Sequence, residues 1–154
     1  MRELDVLGIR VEMPSNEPIL LLQEAGGSRV LPIWVGANEA SAIAHALEGI
    51  VPPRPMTHDL LAQVLSRLGH HQVQARITSM SDGIYAAELE VDGEVIEARP
   101  SDVVALAVRS GITLSAPEDL LAQVGVEIEE PDQDEVERFR EFLDNINPDD
   151  FDGS

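Results

Sequence analysis

The chain has 154 residues, enough for one domain with a sizeable core and a short appendage. Its 29 acidic residues face ten basic ones, all ten arginine, for a net charge of −19; this argues against broad electrostatic binding of nucleic acid but leaves room for a small site using a few arginines. The absence of cysteine excludes disulfides and thiolate metal sites, and no apolar run approaches the ~20 residues of a membrane span, so a cytoplasmic protein with no membrane partner is expected.

Residues Leu4 to Met13 alternate, which predicts a half-buried strand with Leu7, Ile9, Val11 and Met13 on one face. After the turn cluster Pro14–Pro18 come two more strands, Ile19 to Gln23 and Arg29 to Val35, joined at Gly26-Gly27-Ser28. The apolar run that holds the single tryptophan, Trp34, stops at Gly36, and Trp34 is expected in the core. Asn38 then serves as N-cap of a helix carrying Ala40, Ile43, Ala44 and Leu47 and ending near Gly49. A proline-rich link leads to Thr57, the expected cap of a second helix with Leu61, Val64, Leu65 and Leu68 on one face, closed by Gly69.

The pattern then restarts. Gln72 to Met80, Ile84 to Val91 and Glu94 to Ala98 read as strands, with turns at Ser81-Asp82-Gly83 and Asp92-Gly93. Ser101 is the expected cap of a helix with Val103, Leu106 and Ala107, and Ser115-Ala-Pro-Glu118 fits a capping box opening a helix with Leu120, Leu121 and Val124. The hexapeptide Asp59-Leu-Leu-Ala-Gln-Val64 recurs letter for letter as Asp119–Val124, at the same place in the second series of elements. The expected fold is therefore α+β: a duplicated β-β-β-α-α unit forming a mostly antiparallel sheet with packed helices.

Residues 1–126 form the expected domain, and 127–154 an appendage of different composition. From Glu127 onward there are 12 acids and two arginines, net −10. Val136, Phe139, Leu143 and Ile146 recur there at helical spacing, predicting a C-terminal acidic amphipathic helix that docks on the body or on a partner chain, with disorder from Asn147.

No phosphate-binding loop, Gly-x-Gly-x-x-Gly, Gly-x-Ser-x-Gly or His-Glu-x-x-His motif is present. Two stretches carry chemistry instead. In Arg54-Pro-Met-Thr-His-Asp59 a histidine and an aspartate sit in the first turn of a helix, where they suit water activation or cation binding; the plain alternative is that Asp59 favours the helix dipole and His58 lies on the surface. In Arg99-Pro-Ser-Asp102 an arginine suited to phosphate precedes a first-turn carboxylate, and the plain alternative is an Arg–Asp pair fixing the loop. Glu39 is the repeat counterpart of Asp102, so duplication places two carboxylates at matching helix starts.

Leu31-Pro-Ile-Trp-Val-Gly36 with Glu39-Ala40, Arg54–Asp59, Asp82-Gly-Ile-Tyr-Ala86 and Arg99–Asp102, in this order, resemble the bifunctional nuclease domain family from about Arg2 to Gly125. The resemblance implies a distinctive α+β fold, homo-oligomers (a dimer first), and the nuclease activity on RNA and DNA attributed to plant members. The matching polar positions are Glu39, Arg54, His58, Asp59, Asp82, Arg99 and Asp102. The expected chemistry is metal-assisted phosphodiester hydrolysis with nucleic acid as substrate only: Glu39, Asp59 and Asp102 hold Mg²⁺ or Mn²⁺, His58 acts on the attacking water with Asp59, and Arg54 and Arg99 stabilise phosphate charge. The alternative is a non-enzymatic homo-oligomeric binding or regulatory module, which the acidic composition favours.

Overall fold

Strand β1 (Arg2–Glu12) turns back into β2 (Glu17–Glu24) and β3 (Arg29–Trp34), and helices α1 (Ala37–Leu47) and α2 (Thr57–Arg67) follow. A second meander, β4 (Val73–Ser81), β5 (Ile84–Val91) and β6 (Glu94–Ala98), leads into α3 (Pro100–Ser110), β7 (Thr113–Ala116), α4 (Glu118–Val124) and the two-residue β8 (Val126–Glu127). This computed structural model describes residues 1–12 and 14–127, so the helix expected at 136–146 lies outside the described residues.

The eight strands among the described residues form one sheet in the order β6-β5-β4-β7-β1-β2-β3-β8. Every pairing is antiparallel except β4 with β7. The sheet is thus two three-stranded meanders joined through β7, and the expected α+β duplication is what the chain adopts. The two Asp-Gly hairpins turn tightly because Asp82, Gly83, Asp92 and Gly93 all adopt positive φ, the backbone that matches strand twist.

One expectation is corrected by β7. The segment read as a capping box at Ser115 is the end of a strand, and the cap of α4 is Pro117. Four residues are too few to show alternation, and β7 is a strand because both β1 and β4 present backbone partners to it. The apolar face expected for β1 is also corrected. Leu7 drops out of the pairing between Val6 and Gly8, so the buried side changes parity: Leu4 and Val6 before the bulge, Ile9 after it, with Leu7 and Val11 exposed. A bulge at Thr78 does the same to β4, where Ala75 and Ile77 are buried before it and Met80 packs on the core after it. Matching bulges in the first strand of each meander are a structural trace of the duplication.

The core lies between the sheet and α3. Ser101 and Val103 to Ala107 are all buried, so α3 is enclosed on every side by β4, β5, β7, α1 and α2. Leu20, Leu22, Leu31, Ile43 and Ile77 complete the innermost layer. Pro100 at the first helical position and Gly111 in a left-handed C-cap set the limits of α3.

The repeated hexapeptide has opposite environments. In α4, which packs on β3 and β4, Leu120 and Leu121 are 2% and 1% exposed; in α2, which packs chiefly on α3, Leu60 and Leu61 are 53% and 40% exposed. The apolar face expected for α2 is present, but no residue of that helix is fully buried. No described helix is long and apolar enough to cross a membrane.

An ion-pair network closes the β3 side of the sheet. Arg29 binds Glu24 through Nε (2.9 Å) and Nη2 (2.8 Å), reaches Glu118 at 2.8 Å, and shares Glu118 with Arg2 at 3.0 Å. Hydrogen bonds from Arg29 and then Arg2 pull the Glu118 carboxyl from 4.5 down to about 2. A carboxyl depressed in the folded state stabilises it fully above its unfolded pKa and loses that contribution as pH falls through the folded one. The melting temperature should therefore fall as pH drops from about 4.5 to about 2, and Glu118→Gln should flatten that slope while lowering the melting temperature at neutral pH, read by circular dichroism.

Candidate functional site

Three helices begin in the same manner. The caps are Gly36 for α1, Met56 for α2 and Arg99 for α3, and each is followed at its third helical position by an acid: Glu39, Asp59 and Asp102. Each cap precedes the expected one (Asn38, Thr57, Ser101), for a local reason. A Cβ at position 36 would overlap the Glu39 carboxylate, which folds back over the helix start. The Met56 N–H donates to Asp59 Oδ2 at 3.0 Å. Pro100 takes the first helical position, leaving Arg99 as cap. The carboxylates sit where the unpaired N–H groups of each helix start favour negative charge.

Two of the three starts meet. Helices α1 and α3 pack together, and Arg99 spans the junction, donating to Asp102 at 2.9 Å from Nε and 3.1 Å from Nη2, and to Glu39 at 3.3 Å from Nη1. His58, at the start of α2, adds a hydrogen bond between Nε2 and Asp102 Oδ1 at 3.2 Å. Glu39, His58, Arg99 and Asp102 thereby line one groove of about 230 Å³, with Asn38, Ala42, Met56 and Thr57. Partial burial by itself would raise the Asp102 carboxyl, but the hydrogen bonds from Arg99 and His58 outweigh it and hold it below the usual carboxylate range. The same pairs, Asp102 first and then Glu39, hold the Arg99 guanidinium firmly protonated.

Asp59 and Arg54 stand apart from this group. Asp59 Oδ1 forms a 2.7 Å ion pair with Arg109 Nε, both side chains largely shielded, and Arg109 also donates to the Ile50 carbonyl at 2.8 Å. The pair ties the start of α2 and its preceding loop to the last turn of α3. Arg54 is exposed and makes no ion pair with any other described residue. The three carboxylates expected to hold Mg²⁺ or Mn²⁺ are therefore divided, two on Arg99 and one on Arg109, and no three His, Asp or Glu side chains among the described residues are grouped to hold an ion.

A larger cleft of about 820 Å³ shares Glu39 and Arg99 with this groove and runs between the β3–α1 and β6–α3 junctions. Its walls include Trp34, Tyr85, Ile84 and Glu97. Trp34 is thus corrected from core to surface: it is 54% exposed, at the very end of β3 and on the opposite parity to the buried Leu31 and Ile33, although Val30 of its own parity is buried at the other end of the strand. Half burial raises the Tyr85 phenol. Asp82 lies in the exposed β4–β5 turn, and the residues just after it, not its own carboxylate, border the cleft. Arg109 had no mark in the sequence, since it belongs to no motif and finds its partner fifty residues away in the chain.

The sequence profile of the bifunctional nuclease domain matches residues 20–129. An uncharacterized protein of Mycobacterium tuberculosis is 48% identical, across 98% of this chain and 98% of its own length. Bifunctional nuclease 1 of Oryza sativa subsp. japonica is 26% identical over 82% of this chain and 40% of its own. Bifunctional nuclease 2 of the same plant is 23% identical over 80% and 41%. This chain spans about two fifths of the length of those plant proteins.

Asp59 and Arg54 can be separated by stability. Asp59→Ala leaves the shielded Arg109 guanidinium without its carboxylate and should cost about 1–3 kcal/mol in urea unfolding, whereas Arg54→Ala should leave the midpoint unchanged.

Proposed function

Because the chain belongs to the bifunctional nuclease domain family, we propose that it hydrolyses phosphodiester bonds of RNA or DNA in the groove where Glu39, His58, Arg99 and Asp102 meet. The observation that carries this reading is the bond from His58 to Asp102, with Arg99 on the same carboxylate. It has the form of a base held by an acid beside a cation suited to phosphate. With Nε2 donating to Asp102, Nδ1 of the neutral ring is the proton acceptor. In the proposed step a water oxygen bonds to phosphorus as His58 takes its proton. The ester P–O bond breaks, and the departing alkoxide is protonated from solvent. Arg99 neutralises the charge that builds on the phosphoryl oxygens, and Glu39 holds the far edge of its guanidinium. No step is assigned to Mg²⁺ or Mn²⁺, since Asp59 is committed to Arg109 and the two remaining carboxylates share Arg99.

The second reading is a non-enzymatic homo-oligomeric binding or regulatory module. It is favoured by the acidic setting, where Glu39, Glu97 and Asp102 line the groove and cleft with Arg99 as their single arginine, and by apolar groups left exposed on the cleft walls, Trp34 and Ile84. Single-stranded RNA and DNA oligonucleotides incubated with purified chain, with and without EDTA, separate the two. Cleavage that survives EDTA and falls about 100-fold or more in His58→Ala and Arg99→Ala supports the hydrolase. Cleavage equal in His58→Ala and the parent protein would trace to a contaminant and leave the binding module as the reading.

A further inference from the structure

Helix α2 presents a bare apolar stripe. Leu60, Leu61, Val64 and Leu68 are between 40% and 68% exposed, and their spacing places them along one side of the helix. In its hexapeptide twin in α4 the two leucines, Leu120 and Leu121, are buried, so the same sequence is one that folds against something there. The stretch of chain that holds α2 also differs in charge from the rest of the sequence. Residues 49–72 contain Arg54, Arg67 and three of the four histidines against one acid, Asp59, which Arg109 already neutralises. That is net +1 in a chain of net −19.

A segment with the complementary properties is joined to the same chain. Residues 128–154 hold eleven acids and two arginines, and all three phenylalanines of the protein. Val136, Phe139, Leu143 and Ile146 recur at the three- and four-residue spacing that matches the stripe on α2. We propose that this acidic C-terminal segment is the cover of α2, seating its Val136–Ile146 stripe on Leu61, Val64 and Leu68 with its carboxylates toward Arg54 and Arg67. The eight residues from 128 to 135 extend up to about 28 Å, about twice the radius of gyration of a domain of this size. A second copy of α2 is the poorer occupant, since it brings like charge to like charge and leaves the phenylalanines without a surface. The inference is independent of whether the groove cuts nucleic acid.

The lack of cysteine makes the test clean. A nitroxide on Asn145→Cys in the full, isotope-labelled chain should broaden the backbone amide signals of Leu60 to Leu68. The broadening should persist on tenfold dilution and disappear in the double variant Phe139→Glu/Leu143→Glu, and equally in Val64→Glu. Val64 is exposed, so that change leaves the core intact, which Trp34 fluorescence and circular dichroism would verify. Unbroadened α2 amides would overturn the proposal. So would broadening that fades on dilution, or that arises only between labelled and unlabelled chains, because the cover would then come from another molecule.

Discussion

Everything in this molecule depends on α3 being narrow. Val103, Val104, Ala105 and Ala107 let the helix lie within contact of the sheet on one side and of α1 and α2 on the other. Only Leu106 among its buried residues is large. Close packing leaves little tolerance for added methylenes in such a place. The geometry of the groove follows from the same constraint, since α1 and α3 must approach closely for the Arg99 side chain to reach Glu39 as well as Asp102.

Duplication supplied two strand-to-helix junctions, and divergence made them unequal. In the first the cap is Gly36, with the Glu39 carboxylate folded over it; in the second the cap is Arg99, whose side chain fills the space between the copies. The result is one groove made from both repeats. The leucines of the shared hexapeptide show a parallel divergence, enclosed in α4 and bare in α2. Identical letters thus met different neighbours.

Most of the architecture was legible in the sequence, because six strands and four helices are long enough to show a period or a turn. What escaped were features that exist only between segments. The strands β7 and β8 are defined by partners, and the bulges at Leu7 and Thr78 shift which residues face inward without altering the alternating pattern around them. For the site, the link between Glu39 and Asp102 was accessible through the repeat, and Arg99 through its place beside Asp102. Asp59 had the same helix-start position, and nothing local distinguished it. Its assignment to Arg109 is decided by α2 crossing α3, a matter of packing.

The order of the strands also bears on how the chain assembles. Each meander is built from hairpins whose partners are neighbours in sequence, so each can form early. The strand that unites them, β7, begins at Thr113, after both meanders and α3 have been made. Until it arrives the first meander has no partner along the β1 edge, and β3 lacks the cover of α4. A ribosome-bound chain therefore carries two unfinished half-sheets until a four-residue segment near the end emerges. Joining the two half-sheets into one sheet therefore waits on one of the shortest elements of the fold.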